Sequence, residues 1–105
     1  MTIEYLYQLF KNNDAIVYTK HAYHRMIESN ITMNDVMEAV KYGSIIEINK
    51  HPQYTKYLVC GKTKRKYLHV VIKVTDIGVV ITVYYPDNDS WTNNYTVRIR
   101  KETDL

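Results

Sequence analysis

Residues 67–85, YLHVVIKVTDIGVVITVYY, decide the fold that the sequence predicts. The segment is rich in Val, Ile and Tyr, which suit the pleated surface of a sheet, and the Asp-Ile-Gly of residues 76–78 interrupts it. Strands at 67–75 and 79–85 therefore pair as a hairpin. In the first strand, large aliphatic residues alternate with a set that holds Tyr67, His69 and Lys73. The aliphatic set is predicted to face the core, and the other set the opposite side of the sheet.

Two more β-prone segments, residues 45–48 and 56–61, precede this hairpin, with Pro52 between them. The connections among the four segments are too short for crossover helices, so they predict an antiparallel meander. Pro86 ends the fourth strand, and residues 95–101 are compatible with a last strand or a short helix.

Three amphipathic helices are predicted before the sheet. The first ends near residues 12–13, and the next residues are read as extended chain leading to Thr19, which caps the second helix. Asn30 is a left-handed stop for that helix. Thr32 and Asp35 form a capping box for the third, which Gly43 ends. The expected fold is one α+β domain over residues 1–105, with the N-terminal helices packed on one face of a four- to five-stranded antiparallel sheet.

Composition restricts the class of protein. The chain has 105 residues, 46% hydrophobic and 24% charged, as expected for a globular domain. No apolar run approaches the roughly 20 residues that span a bilayer. Glu4 lies where a signal peptide would carry basic residues, so we expect a cytoplasmic protein. Cys60 cannot form an internal disulfide, and its apolar neighbours favour a buried thiol over a nucleophile.

The net charge is +3, and basic residues cluster in the middle of the chain and near its end. This clustering suits a polyanionic partner, although a solvated hairpin tip explains it equally well. The 11 tyrosines suit sheet faces, partner surfaces and base stacking alike.

The chain has no glycine-rich phosphate loop, paired-cysteine metal site or nucleophile elbow, which argues against nucleotide hydrolysis and the commoner zinc sites. His21 and His24 lie one helical turn apart, but without a carboxylate or cysteine set they are weak metal ligands. We therefore expect no metal and no cofactor.

The second helix carries the strongest candidate constellation. Ala22, Tyr23, Met26 and Ile27 are predicted to form its buried side, and His21 and Arg25 lie on the opposite side at i and i+4. The histidine could transfer a proton near neutral pH while the arginine neutralised a phosphate oxygen. RNA cleavage by the neighbouring 2′-hydroxyl needs such a base, an acid and a cation. The alternative is a solvated face on which Arg25 pairs with a carboxylate.

His69 is the second candidate histidine. Strand alternation separates it from the helical core, together with Lys73 and Tyr67. It could be the other half of an acid–base pair, or a histidine hydrogen-bonded beneath the C-terminal tail.

The order and spacing of several short motifs resemble the small prokaryotic domain-of-unknown-function family number 4258. The motifs are Thr19-Lys20-His21-Ala22-x-x-Arg25-Met26, Ile31-Thr32, Gly43-x-Ile45-Ile46-Glu47, Leu68-His69-Val70-Val71, Val83-Tyr84-Tyr85-Pro86 and Trp91. That family resembles the fold group of barnase, the colicin ribonuclease domains and the RelE-type toxins. The resemblance implies helices on an antiparallel sheet and metal-independent RNA cleavage, and it marks His21, Arg25 and His69 as the matching polar positions.

Together, residues and resemblance predict a metal-independent ribonuclease-like toxin domain. His21 would be the general base or acid, Arg25 the phosphate clamp and His69 the complementary acid–base group. The residues expected to bind RNA are Lys64, Arg65, Lys66, Lys73, Tyr85, Arg98 and Arg100. The expected partners are RNA and an antitoxin protein.

Two other classes stay open: a non-catalytic module that binds nucleic acid or protein, and an oligomerising domain with tyrosines at its interface. The two-histidine mechanism further requires that the His21 helix and the His69 face of the sheet meet at a common cleft.

Overall fold

The computed structural model describes residues 3–11, 16–63 and 66–99. In chain order the elements are α1 (Ile3–Lys11), β1 (Ile16–Tyr18), α2 (Lys20–Ser29), α3 (Met33–Tyr42), β2 (Ser44–Lys50), β3 (Thr55–Thr63), β4 (Lys66–Val74), β5 (Gly78–Tyr84), β6 (Trp91–Thr92) and β7 (Val97–Arg98). None of these helices is long and apolar enough to cross a membrane.

The main sheet has the strand order β1-β5-β4-β3-β2 and is mixed. The strands β2 to β5 form the predicted antiparallel meander, but β1 runs parallel to β5, so the expectation of a purely antiparallel sheet is wrong. The reason lies at Thr19, between β1 and α2. Its N–H donates to the Val80 carbonyl at 3.0 Å and its hydroxyl to the Ile81 carbonyl at 2.9 Å. These bonds hold the short β1 along β5, although the two strands are far apart in the sequence.

The C-terminal segment that the structure describes, up to residue 99, does not join this sheet. Within the predicted segment 95–101, Val97–Arg98 form β7, which pairs with β6 as a separate two-stranded sheet, here called the C-terminal hairpin. Residues 100 and 101 lie outside the described part of the chain.

One buried cluster joins the helices to the main sheet. The helix α3 contacts β3 and β4, α2 contacts β5, and α1 contacts α3. Leu68, Val70 and Ile72 of β4 are fully buried in this cluster, as their alternation predicts. We call this side of the sheet the core face. The other side, which holds Cys60, His69 and Tyr84 on three neighbouring strands, is the hairpin face.

The helix termini follow the local sequence. Thr32 and Asp35 form the predicted capping box, with N–H to side-chain oxygen distances of 2.9 and 3.1 Å. Thr19 accepts from the Ala22 N–H at 3.0 Å, and Asn30 has a left-handed φ of 56°. The predicted ends of α2 and the start of α3 are therefore confirmed.

The predicted buried side of α2 is only half right. Ala22 and Met26 are buried, whereas Tyr23 is 42% and Ile27 76% exposed. The helix lies over β5, beyond which there is only the three-residue β1, so the sheet covers a narrow stripe of it.

Close contact between α3 and β3 depends on Gly61. A Cβ atom at this position would lie 2.0 Å from the Ala39 carbonyl oxygen, a distance that no side chain allows. Two residues further along β3, the Thr63 hydroxyl donates to Asp35 Oδ1 at 3.1 Å. The start of α3 therefore lies at the end of the sheet where β3 connects to β4.

Candidate nucleic-acid interface

His69 is fully buried between the hairpin face and the C-terminal hairpin. Its Nε2 lies 2.8 Å from the Tyr95 carbonyl oxygen and its Nδ1 3.1 Å from the Tyr84 hydroxyl. Because a carbonyl only accepts hydrogen bonds, Nε2 carries the proton and Nδ1 accepts from Tyr84. The Trp91 ring is perpendicular to the imidazole, with 4.4 Å between centroids. Both nitrogens of the neutral ring therefore have partners.

Burial sets the protonation of this cluster. Desolvation lowers the pKa of His69 from 6.5, an effect that the hydrogen bond to Tyr95 and the charge of Glu47 only partly oppose. Burial also raises the pKa of Tyr84, so its hydroxyl keeps the proton that it donates. The arrangement matches the second reading of His69, a histidine hydrogen-bonded beneath the C-terminal tail.

Cys60 neighbours His69 on the hairpin face. Burial raises the pKa of its thiol, and Sγ lies 3.9 Å from the Asn94 carbonyl, to which it donates. The prediction of a buried free thiol is confirmed.

His21 and Arg25 lie on α2, on the other side of the sheet from His69. His21 is exposed and Arg25 is half-buried. Because α2 contributes Ala22 and Met26 to the core cluster, it belongs to the core face, whereas His69 is under the hairpin. The structure does not form the common cleft, so the two-histidine mechanism is wrong. Among the described residues Arg25 has no carboxylate partner, in contrast to the solvated-face alternative.

Arg98 is engaged within the protein. Its Nε and Nη2 donate to the two carboxylate oxygens of Glu47 at 3.1 and 3.0 Å, and its guanidinium lies 4.6 Å from the centre of the Trp91 ring. The hydrogen bonds to Glu47 raise the pKa of Arg98. A phosphate would have to displace this carboxylate, which makes Arg98 a hairpin contact and not the free cation that we expected.

The predicted binding residues Lys66 and Lys73 lie at opposite ends of β4. They are seven positions apart along the strand, or roughly 23 Å. Lys73 Nζ lies 4.5 Å from the centre of the Tyr54 ring, and Lys56 is its neighbour on β3. Those of the predicted cations that the structure describes, Lys66, Lys73 and Arg98, therefore do not form one patch.

Lys66 belongs to a cluster at the other end of the sheet. Its Nζ lies 4.8 Å from the centre of the Tyr85 ring, and Lys62 Nζ lies 5.5 Å from that of Tyr67. The Tyr67 and Tyr95 rings are 5.2 Å apart. We call these five residues the tyrosine end. Three of the predicted binding residues lie outside the described part of the chain. They are Arg100 and, between the two lysines of the tyrosine end in the sequence, Lys64 and Arg65.

Two open cavities border the tyrosine end. The larger, of about 540 Å³, is lined by Lys66, Tyr67, Tyr85, Pro86, Asn94 and Tyr95. The second, of about 360 Å³, shares Tyr67 and Asn94 with it and adds Lys62. No carboxylate is among the described residues that line either cavity. A groove of about 170 Å³ on the hairpin face, by contrast, contains the Glu47–Arg98 pair.

Sequence reasoning identified Lys66 and Tyr85 but missed Lys62, Tyr67 and Tyr95 as part of the same site. Tyr67 had a signal, because strand alternation separates it from the core. Tyr95 had none, since its position depends on a φ of +67° that a tyrosine rarely adopts and on the contact with buried His69.

Comparison with known proteins matches the chain to a family model. The model of the family described as Domain of unknown function (DUF4258) matches residues 18–85, which include α2, α3 and β2 to β5 but neither α1 nor the C-terminal hairpin. No curated protein and no solved structure matches the chain. On this match over more than half of its length, the chain belongs to the DUF4258 family.

Proposed function

We propose that the protein is an RNA-binding domain and that the tyrosine end is its binding surface. The observation that carries the proposal is the grouping of two lysine–tyrosine pairs around cavities whose described lining residues include no carboxylate. Ammonium groups attract phosphates, and tyrosine rings offer faces on which bases stack. In the sequence, Lys62 and Lys66 are separated by Thr63 and two further basic residues, Lys64 and Arg65.

The test compares two double variants in the same two strands. Lys62→Gln with Lys66→Gln removes both lysines of the tyrosine end, whereas Lys56→Gln with Lys73→Gln removes a cross-strand pair at the far end. Net charge falls equally in both. We expect the first variant to bind a labelled RNA about tenfold or more weakly, and its log–log salt slope to fall by about 1.4, as two lost phosphate contacts require. The control should bind like wild type. Equal losses of RNA affinity in both variants would show that the tyrosine end is not the binding surface.

A second candidate function is metal-independent RNA cleavage by a toxin-type domain, as the ribonuclease resemblance implies. Two observations support it. His21 is exposed one helical turn before Arg25, and Arg25 has no carboxylate partner among the described residues. His21 would act as general base or acid and Arg25 would bind the phosphate. The complementary group has to be a residue other than His69. A toxin of this kind would also be inhibited by an antitoxin protein.

Cleavage is tested with the purified protein on mixed RNAs in the presence of a chelator. Cleavage that persists in wild type and is lost in His21→Ala, but not in His24→Ala on the same exposed side of α2, would establish the enzyme. Growth arrest on expression should follow the same pattern. Intact RNA with all three proteins would leave binding as the function and exclude cleavage of the RNAs tested.

A further inference from the structure

The larger cavity at the tyrosine end has two walls from different parts of the fold. One wall is the end of β5 and its continuation, with Tyr85 and Pro86, and Lys66 lies over the Tyr85 ring. The other includes Asn94 and Tyr95 of the C-terminal hairpin, with Tyr67 against Tyr95. The lining therefore combines three aromatic rings, one cation and one carboxamide. This chemistry suits a flat aromatic ligand that carries negative charge at its edge.

The hairpin wall is held in an unfavourable backbone conformation. Asn93, Asn94 and Tyr95 have consecutive φ values of 59°, 58° and 67°. Asparagine tolerates the left-handed region, but tyrosine does so at a cost. Contacts to the sheet oppose that cost: His69 donates to the Tyr95 carbonyl at 2.8 Å, and Cys60 to the Asn94 carbonyl at 3.9 Å. Such strain persists only where the surrounding structure enforces it, and it is concentrated at functional sites.

The form of RNA that fits this cavity follows from which part of a base is accessible. In a duplex the faces of the bases are stacked on one another, and the A-form helix presents phosphates, 2′-hydroxyls and base edges. Away from the ends of a duplex, only an unpaired base can lay its face on a tyrosine ring. Lys62 and Lys66, each over a ring of the tyrosine end, lie where the adjoining phosphates would pass.

We infer that the 540 Å³ cavity holds an unpaired base, so that the protein selects single-stranded over double-stranded RNA. This inference rests on the proposed RNA-binding function. The base stacks on Tyr85 or between it and the Tyr67–Tyr95 pair. The C-terminal hairpin, outside the family-matched region, supplies part of the site, and His69 is a positioning residue for it.

The experiment measures binding of a short unstructured RNA, of the same strand in a blunt duplex, and of the same strand with abasic residues. We expect the intact single strand to bind about tenfold or more tightly than the other two, as the loss of one base–aromatic stack predicts. Tyr85→Leu should lower single-strand affinity by about the same factor, and Tyr85→Phe should retain it. The matched control is Tyr54→Leu, which removes a tyrosine that also lies beneath a lysine but at the far end of the sheet.

Tyr67→Leu provides a second test if Tyr85→Leu does not fold, and the abasic strand needs no protein variant at all. Trp91, the one tryptophan of the chain, reports through its fluorescence whether the hairpin stays docked. If duplex and abasic strand bind as tightly as the intact single strand, the inference is wrong and the RNA-binding proposal stands. If none of the three RNAs binds, both are wrong.

Discussion

The two faces of the main sheet are covered by different kinds of structure. On the core face, Leu68, Val70 and Ile72 pack into one continuous apolar cluster that includes helix side chains. On the hairpin face, the short C-terminal hairpin covers His69, whose two ring nitrogens both bond to neighbouring groups. The first face is stabilised by burial of apolar surface, and the second by hydrogen bonds of a titratable side chain.

The comparison indicates how the protein is divided. The core face holds most of the buried apolar residues, whereas the hairpin is a smaller unit that docks through a few hydrogen bonds and the aromatic contacts of Trp91 and Tyr95. Because the hairpin supplies Asn94 and Tyr95 to the larger cavity, events that undock it should alter the proposed site before they unfold the sheet.

The largest effect is expected on the core face. Leu68→Ala removes a fully buried side chain from the cluster and should lower the free energy of unfolding by about 2–5 kcal/mol. Urea unfolding measures it. Ile48→Ala, at a position 53% exposed on β2, is the control and should change stability by only about 0.5 kcal/mol. Similar losses at both positions would contradict the assignment of the core.

A smaller and more local effect is expected at His69. His69→Leu leaves the Tyr95 carbonyl and the Tyr84 hydroxyl without their partners, at a cost of about 1–3 kcal/mol. The Trp91 emission should shift to the red as the hairpin undocks, while the sheet still unfolds cooperatively. Unchanged emission together with unchanged stability would mean that His69 does not hold the hairpin.

The pH dependence follows from the lowered pKa of His69. Above pH 6.5 the ring is neutral in both the folded and unfolded states, and its hydrogen bonds are fully available. As the pH falls below 6.5, His69 binds a proton in the unfolded chain but stays neutral in the folded protein. The free energy of unfolding therefore decreases until the pH reaches the lower pKa of the folded state. The slope from this one group is at most about 1.4 kcal/mol per pH unit. Unfolding measured between pH 7.5 and pH 5 should show this decline.

His69→Gln is the control for that titration. A glutamine amide can still donate toward Tyr95 but does not titrate, so this contribution to the pH dependence should disappear. A decline of the same size in this variant would assign the effect to another group.

The smallest effect is expected for the Arg98–Glu47 pair, whose side chains are 57% and 40% exposed. Solvent screens such pairs, so a double-mutant cycle with Arg98→Gln and Glu47→Gln should give a coupling below about 1 kcal/mol. High salt should reduce it further. A coupling of several kcal/mol would make this ion pair, and not His69, the main contact that holds the hairpin.

The sequence alone was sufficient to predict the elements that are determined by residues close together in the chain. The alternation in β4, the Thr32–Asp35 capping box and the left-handed stop at Asn30 are local patterns, and the structure has all three. The four predicted strands of the meander lie within two residues of β2 to β5. In the candidate site, Lys66 and Tyr85 were also predicted.

Tertiary structure decided the features that depend on distant contacts. Bonds between Thr19 and β5, across 62 residues, make β1 a parallel strand, and the position of α2 near the sheet edge exposes Ile27. Docking of the hairpin buries His69, engages Arg98 with Glu47 and brings Tyr95 to Tyr67. Periodicity tells which side of a strand or helix a residue occupies, but not which distant segment covers that side. For this reason the sequence by itself found two histidines with suitable chemistry, and only the tertiary structure separated the exposed His21 from the buried His69.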